Sequence, residues 1–221
     1  MIDDPDLEYL RQCLLAAPFT PHPWDGEDRN IGAFRSKEEL IEWYCQPPGV
    51  VNQPYRDRAF YCRELAYLSR VIKPNTVVEF GTCQGIGTCL LRWLNPTAHI
   101  VTVDLNEHTY MPGDLRVPMG HLAKWQNIEC QHVTGMMSWE FLTSPHVDLC
   151  FIDADHGYAA VKRDSGAAWH NRSIDHPWAI AWHDHNDRHP GVMQAVAEFC
   201  ANTNLELQSR DDSDTVWVMK L

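Results

Sequence analysis

The sequence predicts an α/β protein: a doubly wound, mostly parallel sheet of seven strands with an antiparallel C-terminal strand. Three observations predict it. From residue 57 onward, short apolar runs alternate with stretches of helical periodicity. Several of those runs end in an acid, and the first turns through glycines into a helix. Two adjacent strand-like runs close the chain, separated by the turn-forming Asp211 to Asp214, which implies an antiparallel ending.

The elements follow in order. Residues 1–56 are rich in proline (Pro18, Pro21, Pro23, Pro47, Pro48, Pro54) and form an N-terminal extension too small to be a domain, with short helices near 5–16 and 37–45. Its Trp24, Trp43, Tyr44 and Tyr55 either line a substrate entrance or pack on the core. Residues 57–221 form the main domain. A helix spans 57–71, and strands are expected at 75–80, 99–104, 128–133, 147–153 and 178–183, with helices at 85–94, 157–169 and 190–202. The last strands are 204–209 and 215–220. Region 106–126 has no readable pattern.

The bulk numbers narrow the function. The 221 residues suffice for one α/β domain with a sizeable core. The net charge of −12, with 18 scattered basic residues, argues against nucleic acid or an anionic membrane as partner. No apolar run reaches membrane-spanning length, and the acidic start Asp3-Asp4-Pro5-Asp6 does not resemble a signal peptide, so a cytoplasmic location is expected. The eight cysteines show no Cys-x-x-Cys spacing and are read as free thiols. Homo-oligomerisation is left open.

The first strand and its turn read Val77-Val-Glu79-Phe-Gly81-Thr82-Cys-Gln-Gly85-Ile-Gly87. Glycines let the backbone turn tightly and approach a ligand. A dinucleotide fingerprint would be Gly-x-Gly-x-x-Gly; here three residues separate the first two glycines, and Glu79 precedes them by two. A carboxylate there suits a cationic or hydroxylated ligand better than a phosphate. Asp104, at the tip of the second strand, stands where a ribose hydroxyl is held, a feature that NAD-binding proteins share. After the third strand, Met136 is a candidate to pack on an adenine face.

The fourth and fifth strands carry the sharpest signal. Val147 to Ile152 runs into Asp153-Ala-Asp155-His156, and Trp178 to Trp182 into His183-Asp184-His185-Asn186-Asp187. Parallel neighbours lie about 4.8 Å apart, so Asp153 and Asp184 are expected to meet and to share a divalent ion. Asp155, two residues on, is expected to face the same crevice. His183, His185 and His189 also invite a metallo-hydrolase reading, but that motif wants a histidine after Asp187, where Arg188 stands.

These motifs carry a resemblance. Glu79-x-Gly81-x-x-x-Gly85 resembles the first motif of class I S-adenosylmethionine-dependent methyltransferases, which are Rossmann-like and insert an antiparallel seventh strand. Phe151-Ile-Asp-Ala-Asp-His156, with Tyr158, Val161 and Asp164, and Trp182-His-Asp-His-Asn186 resemble the paired motifs of metal-dependent O-methyltransferases. The catechol and caffeoyl-coenzyme A enzymes belong there, and the sugar, macrolide and cephalosporin-tailoring branch is more similar still. The resemblance covers about 57–221. It implies S-adenosylmethionine held by Glu79, Gly81, Thr82, Gly85, Gly87, Asp104, Met136 and Asp153. It implies a divalent cation (Mg, Mn or Fe) on Asp153 and Asp184, and His156 beside Asp153 as the catalytic base. The third metal ligand, normally Asn or Asp, is His185 here, or Asn186 in its place; an imidazole would shift preference away from magnesium. The expected reaction is O-methylation of a small-molecule hydroxyl on a sugar, polyol or phenolic product. The rivals are a metal-independent methyltransferase using His156 or His183, a non-catalytic cofactor-binding protein, and a nicotinamide oxidoreductase.

Overall fold

The computed structural model describes residues 4–21, 34, 36–45, 58–104, 120–128, 131–134, 146–210 and 213–221. Three helices come first: α1 (Pro5–Ala16), α2 (Lys37–Tyr44) and α3 (Arg58–Ile72). Then follow β1 (Thr76–Phe80), α4 (Ile86–Leu94), β2 (His99–Asp104), α5 (His121–Trp125) and β3 (Gln131–Thr134). The second half is β4 (Leu149–Ile152), α6 (Tyr158–Asn171), β5 (Trp178–Trp182), α7 (Pro190–Thr203), β6 (Gln208–Ser209) and β7 (Val216–Lys220).

One sheet runs in the order β3-β2-β1-β4-β5-β7-β6. Six strands have four or more residues, and β6 is a two-residue edge strand. β1 pairs in parallel with β2 and β4, and β4 with β5. β7 runs antiparallel to both β5 and β6. The chain leaves β1 toward β2 and β3, then returns to lay β4 on the other side of β1. The β1/β4 boundary is therefore the switch point, where open α/β sheets bind ligands.

Alternation of side chains across the strands builds two cores. Val77, Ile100, Leu149, Phe151, Ala179, Ala181 and Trp217 face α1 to α5. Val78, Val101, Cys150, Ile152, Ile180, Trp182 and Val218 face α6 and α7. Strands buried on both faces explain why these runs read as continuously apolar.

The helix starts follow local chemistry. The Asp4 carboxylate accepts from the Asp6 and Leu7 amides, with Pro5 opening α1, and Ser36 caps α2 through Glu39. Trp43 and Tyr44 pack into the core with Phe34 and Trp93, whereas Trp24 and Tyr55 lie outside the described residues. Three expected strands are clearly shorter than the sequence suggests: β4 begins at Leu149, with Val147 in an isolated bridge to Arg172. Ile128 closes the α5 turn onto Ala123 instead of starting β3, and Asn204 and Leu205 finish α7 instead of starting β6.

Leu14 on α1 is fully buried in the first core. Leu14→Ala should therefore cost about 2–5 kcal/mol of global stability, read as a lowered urea midpoint with an unchanged slope.

Candidate active site at the carboxyl ends of β1, β4 and β5

The turn after β1 is shaped by close approach. Gly81 has φ +98°, and a Cβ there would lie 2.0 Å from the Asp153 carbonyl oxygen. The Gly81 amide bonds to the Val103 carbonyl and the Asp153 amide to that of Phe80, so the ends of β1, β2 and β4 are tied together. Gly85, φ +89°, opens α4 without a side-chain cap, and a Cβ there would lie 3.0 Å from the Ala123 nitrogen. That contact seats α5 against the turn, aided by the bonds from the Gly120 and Leu122 amides to Cys83 and Gln84.

Glu79 lies under this turn and is 1% exposed. One of its oxygens accepts from the hydroxyls of Thr88 at 2.5 Å and Thr102 at 2.7 Å. Thr82 is not directed outward: its hydroxyl meets that of Thr102 at 2.6 Å and extends the same relay. A Cβ on Gly87 would lie 2.3 Å from the other Glu79 oxygen, so the missing side chain makes room for the carboxylate. Burial pushes the Glu79 pKa up to about 8, the two hydroxyls pull it down, and the charges of Asp153 and Asp104 push it up again. Among the described residues no basic group offsets it. Asp104 accepts from the Cys83 amide at 2.7 Å, so this strand-tip acid holds the glycine turn. Met136 lies outside the described residues.

Beyond β4 and β5 the structure brings Asp153 and Asp184 together around His183. The His183 Nδ1 lies 3.2 Å from Asp153 Oδ1 and 3.3 Å from Asp184 Oδ2, and its Nε2 is 3.6 Å from Asp214 Oδ1. His156 Nε2 is 3.0 Å from Asp184 Oδ2, and His189 Nε2 is 3.8 Å from Asp184 Oδ1. Burial pushes the His183 pKa down, but the two aspartates overcome this and hold it well above the usual imidazole range. The hydrogen bond to Asp184 raises that of His156. Burial would raise the Asp184 pKa, yet His156 and His183 hold it far below the usual carboxylate range.

Two groups have donor atoms close enough for a metal ion: Asp153, His183 and Asp184, and His156, Asp184 and His189. His185 belongs to neither. Its amide bonds to the Asp214 carbonyl, its ring is half-buried, and burial lowers its pKa. Asn186 bonds through Nδ2 to Asp214. The resemblance implied His185 as a ligand, but Asp184, at φ +59°, has already left the extended strand conformation, and the next amide is tied to Asp214. Asp155 lines the same pocket as Asp153, His156 and His183, but it belongs to neither donor group and accepts from the Gly157 amide at 2.7 Å. The pairing signal in the sequence missed His189 and Asp214 as site residues; the clustering of His183 with His189 was the clue available.

No protein-family model and no curated protein sequence matches the chain. Solved structures do. An O-methyltransferase from Bacillus cereus in complex with SAH is 15% identical, with 90% of this chain and 94% of that chain covered and a TM-score of 0.55. The SAH-bound methyltransferase PaMTH1 of Podospora anserina is 16% identical, with 99% and 88% covered and a TM-score of 0.54. The chain has the Rossmann-like methyltransferase fold. At these identities the likeness is one of fold, including the mostly parallel sheet and its antiparallel C-terminal strand. No helix among the described residues is long and apolar enough to cross a membrane.

Glu79 gives a measurable signature. Its folded pKa of about 8 exceeds the ordinary 4.5, so the folded chain keeps a proton that the unfolded chain loses. Its contribution to stability is full below about pH 4.5 and declines as pH rises toward 8. Glu79→Gln should flatten that decline in denaturation curves recorded across the window.

Proposed function

We propose that the chain is an S-adenosylmethionine-dependent O-methyltransferase acting on a small-molecule hydroxyl, assisted by a divalent cation. One observation carries the cofactor reading. Glu79 is a buried carboxylate at the switch point, held by hydroxyls alone and crowded by like charges. Such a site favours a ligand that brings positive charge. The SAH carried by two proteins of the same fold is consistent with it.

In this reading Glu79 takes the cationic methionine portion of the cofactor, the Gly81–Gly87 turn lies against it, and Asp104 serves the ribose. The bound cofactor supplies an electrophilic methyl on a sulfonium centre. Asp153 and Asp184 hold the cation: the carboxylate pair alone suits Mg or Mn, and with His183 as a donor the set shifts toward Fe. A dication there supplies Lewis acidity that lowers the pKa of an acceptor hydroxyl. His156 is the base: Asp184 orients its Nε2, leaving Nδ1 for a proton. Positioning of acceptor oxygen and methyl carbon in line supplies much of the acceleration. Residues 1–56 and the 106–126 region are the candidates for acceptor specificity.

A second reading has its own support. His156 on Asp184 and His183 on Asp153 form carboxylate–imidazole pairs that balance the acidic charge without a metal. That arrangement suits a metal-independent transferase with a histidine base.

Chelation and one variant separate the two. With a panel of sugars, polyols and phenols as acceptors, excess chelator should abolish methyl transfer. Asp153→Ala should do the same while SAH affinity by calorimetry changes by less than about threefold. Full activity in either case would remove the cation from the mechanism and favour the histidine base.

A further inference from the structure

We infer that His156, Asp184 and His189 form a binding site for a zinc-like transition-metal ion, separate from the carboxylate pair Asp153 and Asp184 and sharing only Asp184 with it. The donors come from three elements: His156 from the β4–α6 loop, Asp184 from the end of β5, and His189 from the residue before α7.

The two contacts to Asp184 bracket the donor spacing of a coordination sphere. A tetrahedral ion with bonds of about 2.0–2.1 Å sets its donors about 3.4 Å apart. The contacts to Asp184 are 3.0 Å from His156 and 3.8 Å from His189, on different carboxylate oxygens. All three donor atoms lie within 4.8 Å of one another. Two imidazoles with one carboxylate form a set that zinc, iron, cobalt and nickel prefer and magnesium does not.

The fold builds the juxtaposition. A Cβ on Gly191 would lie 2.6 Å from the His156 carbonyl oxygen and 2.7 Å from the Tyr158 nitrogen. Glycine at this position therefore lets the start of α7 press against the β4–α6 loop. The two rings meet as a result, with centroids 4.2 Å apart. His189 occupies the N-cap position, yet its side chain makes no capping bond, so the imidazole is not committed to the helix. Asp184 holds its left-handed backbone between β5 and the Asp214-bound segment His185–Asn186. All three donors are partly exposed, which gives an ion a route in.

The binding claim stands without the methyltransferase reading. Its consequence for activity rests on that reading: an ion here would engage His156 and remove the base, so zinc would act as an inhibitor.

The test is a metal titration, independent of turnover. Chelator-stripped protein in excess Mg2+ is titrated with Co2+, followed by visible absorption, and then with Zn2+ in competition. One Co2+ per chain should give the visible bands of a low-coordinate site, and Zn2+ should abolish them. His189→Ala should weaken binding at least about 10- to 100-fold. Gly191→Ala, checked for folding by circular dichroism, should also weaken it. Unchanged Co2+ binding in His189→Ala, or the absence of the bands while excess Mg2+ is present, would overturn the assignment and leave the ion on Asp153 and Asp184.

Discussion

The absent side chain of Gly81 governs the geometry of the site. A Cβ there would lie 2.0 Å from the Asp153 carbonyl oxygen, in the direction of the β4 backbone. Because that space is empty, the β1 turn can rest on the end of β4. Glu79 below the turn and Asp153 beyond the strand then share one local field, as the influence of Asp153 on the Glu79 proton attests. β5 extends the same edge, since the His183 amide bonds to the Ile152 carbonyl, and this places Asp184 beside Asp153. The glycine turn and the Asp153–Asp184 carboxylate pair are thus brought together by backbone contacts.

The carboxylates on this edge are compensated in two different ways. Glu79 faces neutral hydroxyls, so the buried group relieves its charge by keeping a proton. Asp184 faces imidazoles, so it stays ionised and shifts the cost onto His156 and His183, which hold protons more tightly. The first arrangement suits a ligand that carries its own positive charge. The second suits a metal ion that displaces those protons, because the neutral imidazoles left behind are themselves ligands.

Much of this was legible in the sequence because strand ends carry their own punctuation. β2, β4 and β5 are apolar runs that stop at or just before an acid or histidine, β1 carries Glu79 one residue before its end, and their parallel adjacency followed from the alternation with helices. The convergence of Asp153 and Asp184 followed in turn. Two things were hidden. α5 has five residues and begins after a left-handed glycine, so it has too little periodicity to read; it is fixed by its contact with Gly85. The positive φ of Asp184 is also hidden, because a single Asp in a sequence does not announce a left-handed backbone; just beyond it the His185 amide bonds to the Asp214 carbonyl.

The division at residue 56 is less clean than composition suggests. Asp6, at the start of α1, is 3% exposed and accepts two hydrogen bonds from Arg70 of α3, at 2.7 and 3.0 Å. Its other oxygen meets Arg210, which follows β6 and also packs over the Tyr67 ring. The same β6–β7 connection carries Asp214, whose carboxylate faces His183 and whose backbone holds His185. The Asp6 carboxylate is the buried member, while Arg70 and Arg210 keep contact with solvent, so losing both arginines would leave a buried charge without partners. The start of the chain is thereby fastened to the segment that supports the imidazole between Asp153 and Asp184. Whatever the first residues do for an acceptor, α1 and α3 clamp the hairpin that braces the cluster from behind.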